Sequence, residues 1–180
     1  MNSIKSHLLL FLSVAFFISG FLTESTLFNP DQAIKVTEKF EKKLHKQQAL
    51  LEQKLEQITH TIEDDDFDGD FQFAFHQLSS LFPQKGLGFL IADDQKLLFW
   101  SSNRFSFDRA YLKQALEEKV QFLPNGIYLS SVKKAGNLSV IGMVLLKENY
   151  PIQNEFITNR FAKEFNTPEN YKIQVKASVR

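Results

Sequence analysis

Asp64, Asp66 and Asp68, followed by Gly69, match the opening of a calcium-binding EF-hand loop and are the sharpest metal-like spacing in this sequence. The match then fails, because the twelfth position, where a bidentate glutamate would complete the coordination, is Phe75, and the segment around it is aromatic. An acidic solvated loop is the better reading, and no metal site is expected. His45 and His60 have no carboxylates arranged around them and His76 has no visible partner, so all three are expected as ordinary helix residues. Asp93 and Asp94 are adjacent. Successive residues point to opposite sides of a strand, so a turn accounts for this pair better than acid–base work does. There is no Gly-rich phosphate loop, no G-x-S-x-G elbow and no paired-histidine signature, and the absence of cysteine removes a thiol nucleophile and thiolate metal sites. No catalytic residues can be assigned. What remains is the polar cluster Ser101, Ser102, Asn103 and Arg104 directly after Trp100. Polar groups where a strand leaves a sheet often stand at the mouth of a ligand cleft. With Tyr111 and Tyr128 supplying aromatic surface, the candidate ligand-binding set is Trp100, Asn103, Arg104, Tyr111 and Tyr128, with core packing as the competing role for each aromatic.

The elements that must position this set follow from periodicity. From Asp31 to Asp64, Phe40, Leu44, Leu51, Leu55, Ile58 and Ile62 fall on one helical stripe, with Gln47 or Gln48 at the missing place. One long amphipathic helix over 31–64 is predicted, whose stripe is either a coiled-coil seam between subunits or the face that lies on this chain's own sheet. Asp70 can cap a short helix, FQFAFHQLSSLF, with Phe71, Phe75, Leu78 and Phe82 on one face and Pro83 as its stop. The runs Leu87 to Ala92 and Lys96 to Trp100 flank Asp93-Asp94-Gln95 as a hairpin. Asp108 caps a helix to about Lys119, with Tyr111, Leu112, Ala115 and Leu116 turned inward. After a turn at Pro124-Asn125-Gly126, Ile127 to Lys134 and Leu138 to Lys147 form a second hairpin around Ala135-Gly136-Asn137. LSVIGMVLL, apolar on both faces, should be the most buried strand. Pro151 is expected to open a helix carrying Phe156, Ile157, Phe161 and Phe165 and ending before Pro168, after which Ile173 to Val179 alternate as a strand. The sheet core is predicted to hold Phe89, Ile91, Leu98, Val140, Met143 and Leu145.

The 180 residues carry 21 Lys and Arg against 21 Asp and Glu, so no global field draws the chain to nucleic acid. Nineteen Phe and only seven Gly indicate a packed aromatic core. The N-terminal run Leu8 to Leu22, extended to Ile4 with Lys5 and His7 able to snorkel, is uncharged and apolar. As a helix of roughly 19 residues it reaches about 28 Å, the thickness of a hydrocarbon core. A cleaved signal peptide is the rival reading, weakened because Thr23-Glu24-Ser25 is a poor cleavage site. Residues 1–22 are therefore expected as a retained anchor in the cell (inner) membrane, 23–30 as a linker and 65–180 as the remaining domain. Lys5 before the run and Glu24 after it place the N-terminus in the cytoplasm and residues 23–180 outside.

Trp100-Ser101-Ser102-Asn103, Leu123-Pro124-Asn125-Gly126-Ile127-Tyr128 and Gly142-Met143-Val144-Leu145-Leu146-Lys147-Glu148-Asn149-Tyr150, continuing through Asn154, Ile157, Phe161, Phe165 and Pro168, resemble the extracytoplasmic sensor region of bacterial membrane-bound sensor histidine kinases. The resemblance covers most of the chain after the anchor, through residues that are structural in type. It implies a receptor: anchor, outside sensor domain, second membrane helix, then cytoplasmic kinase modules working as a homodimer on a response regulator. ATP and Mg²⁺ would belong only to the kinase module beyond Arg180, because these residues contain neither a phosphoacceptor histidine box nor ATP-binding boxes. The element order also suits a PAS-like or Cache-like α+β fold, an antiparallel sheet with helices on one face, by analogy of fold. A stand-alone anchored binding or adaptor protein and the front end of a chemoreceptor are the competing readings. An extracytoplasmic enzyme has the least support.

Overall fold

The computed structural model describes residues 30–64, 67, 69–94, 96–104 and 109–174. The expected membrane helix over Ile4 to Leu22, linker residues 23–29, Asp66, Asp68, Asp108 and the strand residues from Val175 onward lie outside them. Among the described residues no helix is long and apolar enough to cross a membrane. The chain forms two compact units, Met1–Lys39 and Phe40–Arg180. Of the first, only the opening of helix α1 is described, and it is mostly exposed.

Helix α1 runs from Pro30 to Glu63. Proline fits the first helical position, and the residues that follow are rich in Leu, Lys, Glu and Gln, good helix formers, with no further Pro and no Gly. Its stripe faces the sheet of its own chain: Leu51, Leu55 and Ile58 are buried, with Phe40, Leu44 and Ile62 packed partly beside them. Gln47 takes the missing place in the stripe, buried, its amide donating to Glu164 Oε2 at 3.4 Å. Of the two uses open to this stripe, the structure shows packing in cis.

The sheet holds β1 (Leu87–Ala92), β2 (Leu97–Trp100), β3 (Val120–Leu123), β4 (Gly126–Ala135) and β5 (Leu138–Glu148). All neighbours are antiparallel, in the order β2-β1-β5-β4-β3. The apolar β5 lies at the centre, buried from Ser139 to Leu146, as a strand covered on both faces must be. Phe89, Ile91, Val140, Met143 and Leu145 are buried core as predicted. Leu98 is only half-buried, because β2 is an edge strand.

Register separates the two faces. Gly142 lies against α1, since a Cβ there would stand 2.8 Å from Leu51 Cδ1 and 3.2 Å from Leu55 Cδ1. Its cross-strand partners are Phe89 and Ser131. Alternation then puts Leu87, Ile91, Val140, Val144, Leu129 and Lys133 on this face too. Two exposed contacts fit that placement: Ser131 Oγ donates to Glu52 Oε1 at 2.5 Å, and Lys133 pairs with Glu56. The opposite face carries Leu90, Ile141, Met143, Ser130, Tyr128 and Leu145. Helix α4 (Arg109–Glu117) meets this second face, where the Gln121 amide donates to the carbonyls of Gln114 and Glu118 at 3.2 and 2.6 Å and to Ser130 Oγ at 3.3 Å. The expectation of helices on one face is thus corrected, because a sheet apolar on both sides needs cover on both.

Other differences are local. The helix read over FQFAFHQLSSLF is two helices, α2 (Gln72–Leu78) and α3 (Leu81–Lys85). The N-cap position falls to Phe71, not Asp70, whose Oδ1 accepts from the Gln72 N–H at 2.9 Å one residue further out. Pro83 lies inside the first turn of α3, where no N–H is needed, and Gly86 in the left-handed region, φ 66°, ends it. Phe75 is exposed, unlike Ala74, Leu78 and Phe82, so the buried face is narrower than the spacing suggested. In α4, Leu112 and Ala115 are buried but Leu116 is exposed, and strand β3, too short to show a period, follows directly.

The helix expected from Pro151 does not form. Asn154 Oδ1 accepts the N–H groups of Phe156 and Ile157 at 2.9 and 2.8 Å, and Asn159 binds the Tyr150 backbone through both its N–H donor and its oxygen. Asparagine side chains that bond nearby backbone offer it an alternative to the helix. Phe161 and Phe165 still reach the core, Phe165 stacked on Phe40 with ring centroids 4.5 Å apart. Ile173 packs partly on the core without entering a strand.

Candidate ligand site

The second face of the sheet ends in a recess of about 500 Å³, within the range of small-molecule sites. Tyr128 of β4 and Leu145 of β5 are paired across the sheet and form its floor, Phe82 of α3 closes one side, and Asn103 and Arg104 come from the segment after β2. Asn125, Glu148 and Tyr150 complete the rim. Three of the five residues chosen from sequence, Asn103, Arg104 and Tyr128, therefore meet at one site.

Trp100 does not join them. It sits on the edge strand, 49% exposed, and its indole Nε1 donates to Asn103 Oδ1 at 2.8 Å. Its place is a more open groove of about 680 Å³ shared with Phe71, Phe75 and Leu98. Tyr111 lines neither cavity and packs partly against the core. Asn125, Glu148, Tyr150 and Phe82 escaped the sequence reading. Asn125 is legible in sequence only as a turn residue, while Glu148 ends the most apolar strand and Tyr150 follows it, neither with a spacing signal of its own.

The polar groups here are tied into the surrounding backbone. Asn125 Nδ2 donates to the Arg104 backbone carbonyl, fastening the segment after β2 to the β3–β4 turn. Glu148 Oε2 accepts from Arg160 Nε at 2.7 Å, so the carboxylate on the rim already has a cation. Burial pushes the Tyr128 phenol pKa up, with the neighbouring Tyr150 adding to the rise and a hydrogen bond to Asn125 opposing it. The phenol therefore stays neutral to higher pH than an exposed tyrosine would. A guanidinium, a neutral phenol, amides and three aromatic rings suit recognition of a small molecule. They contain no paired nucleophile and base.

Tyr128 gives a stability signature in alkali. Its ordinary value is 10.0, and in the folded chain it is raised, so above about pH 10 the unfolded chain loses a proton that the folded chain keeps. Stability from this group is intact below pH 10 and falls as pH rises beyond it, at up to about 1.4 kcal/mol per pH unit. Urea unfolding at pH 8 and pH 11 should show a smaller alkaline loss in Tyr128→Phe than in the parent chain. Equal losses would mean that Tyr128 is not sequestered.

The other chemistry-bearing residues are ordinary. His45, His60 and His76 are exposed, and Asp93 closes a turn through its Oδ1, which accepts from the Lys96 N–H at 2.7 Å. Among the described residues no group of three His, Cys, Asp or Glu could hold a metal ion. No protein family, no curated protein and no solved structure matches this chain.

Proposed function

We propose that this chain is the input region of a bacterial membrane-bound signal-transducing histidine kinase, with residues 23–180 outside the membrane as a PAS-like or Cache-like sensor domain. The observation that carries the reading is the recess at Arg104, Asn103 and Tyr128, on the sheet face opposite the long helix that follows the apolar N-terminal run. A bound small molecule or a change in the envelope would shift a balance between two arrangements of the membrane helices. The antiparallel sheet with α1 laid along it supports the fold assignment, and the apolar length of Ile4 to Leu22 supports the anchor. In this reading the receptor works as a homodimer, and transfer of phosphate to a response regulator belongs to modules beyond Arg180.

Reading the gene past codon 180 tests it. A second apolar span of about 20 residues, a phosphoacceptor histidine and an ATP-binding module are expected. A stop codon within a few residues of Arg180 would overturn the kinase assignment and leave an anchored binding or adaptor protein. A signalling coiled coil without an ATP module would make the chain a chemoreceptor front end.

A further inference from the structure

Trp100 and Asp70, the last residue of the acidic stretch that begins at Glu63, both stand outside the recess and line the open groove of about 680 Å³ beside β2. Two more aromatic side chains stand with them. Trp100 is 49% exposed and Phe75 54% exposed, with Phe71 half-buried next to them. Exposed aromatic surface gathered around one groove marks a binding surface. Among the described residues that line it, Asp70 carries the one charge. Phe67, between Asp66 and Asp68 in the sequence, sets its ring 5.5 Å from that of Phe71 and so ties the acidic stretch to the groove wall. We propose that this groove binds a small quaternary ammonium ion, one whose nitrogen carries only alkyl groups.

The carboxylate and the rings select the sign of the ligand. A cation is drawn to the faces of aromatic rings, most strongly to tryptophan, and to a negative charge beside them. The hydrogen bonds select the kind of cation. Trp100 Nε1 donates to Asn103 Oδ1 at 2.8 Å, which fixes the indole and leaves it ring surface, not its donor, to offer. Acceptors in the groove are engaged as well. Asp70 Oδ1 takes the Gln72 N–H at 2.9 Å, Ser101 Oγ the Phe89 N–H at 2.9 Å and Ser102 Oγ the Arg104 N–H at 3.3 Å. A sugar or a primary ammonium would give up hydrogen bonds to water that these groups are poorly placed to replace. A metal ion finds no ligand set, since among the described residues no group of three carboxylates or imidazoles could hold one. An ion with methyl groups in place of N–H leaves no donor unmet and presents its charge through a surface that rings can cover.

Trp100 is the only tryptophan in the chain, so its emission reports on this groove directly. Titrating the full chain with choline should change that emission along a saturating curve, and sodium chloride at the same concentrations should not. The uncharged alcohol in which carbon replaces the nitrogen of choline should bind at least about fivefold more weakly. Asp70→Asn keeps an acceptor for the Gln72 N–H while removing the charge, and should weaken choline by a similar factor. Phe75→Leu keeps apolar bulk at an exposed position while removing the ring, and should weaken choline but not the uncharged alcohol. Phe156→Ala, outside the groove, should leave choline binding unchanged. An uncharged analogue that binds as tightly as choline would overturn the proposal, as would parent-like affinity in both Asp70→Asn and Phe75→Leu, or a response to choline that sodium chloride reproduces. None of these results bears on the kinase reading, which the gene past codon 180 decides.

Discussion

Leu55→Ala is expected to lower the free energy of unfolding by about 2–5 kcal/mol, read as a lower urea midpoint at an unchanged slope. Leu55 is wholly buried in the last third of α1 and lies against Gly142 of the central strand. Truncation removes its transfer free energy and leaves a cavity that the rigid sheet below cannot close. Because the stripe of α1 is apolar on a helix whose other faces are solvated, the measurement also decides what the stripe is for. A loss within about 0.5 kcal/mol, the ordinary surface range, would show that α1 does not seat on its own sheet, and sedimentation would then test a seam between subunits.

Gly142→Val attacks the same contact from the other side. A Cβ at Gly142 would already lie 2.8 Å from Leu51 Cδ1 and 2.9 Å from Leu51 Cγ, closer than real atoms approach, and valine adds two methyl groups beyond it. Since β5 is hydrogen-bonded on both sides, the helix must give way and not the strand. A loss of about 1–3 kcal/mol is expected from overpacking. With Leu51→Ala in the same chain the combined loss should fall short of the sum of the two separate losses, by a coupling of roughly 0.5–3 kcal/mol. Strictly additive losses would show that Leu51 and Gly142 do not touch.

Where periodicity was long, sequence and structure agree. Six apolar positions at helical spacing marked the buried face of α1, and the double-sided apolar run from Leu138 marked the central strand. What periodicity does not encode was missed. Strand β3 is four residues long and exposes Phe122 at 53%, so neither its length nor its pattern separates it from the end of α4. The segment after Pro151 has apolar residues at helix-like intervals, but Asn154 and Asn159 bond its backbone in turns, a competition visible only once the partners are placed. The candidate site was legible in the residues that leave β2, because polar groups where a strand leaves a sheet often stand at the mouth of a cleft. Its other half was not: Glu148 and Tyr150 come near Arg104 only through the pairing of β4 with β5, a relation between distant stretches that no local spacing reports. Trp100 shares the aromatic strand end with Asn103 but lines the open groove beside Phe71 and Phe75, because β2 borders the sheet, a placement that local spacing does not report.

Alternation along β5 also sets how little material separates its two sides. Gly142 and Val144 touch the territory of the long helix, while Met143 and Leu145 belong to the side that opens on Arg104 and Tyr128. The partition between them is a single peptide thick. With glycine at one of these positions, not even a side chain stands between the strand's backbone and Leu51, so a displacement of the strand by whatever occupies the far side has no soft layer in which to dissipate.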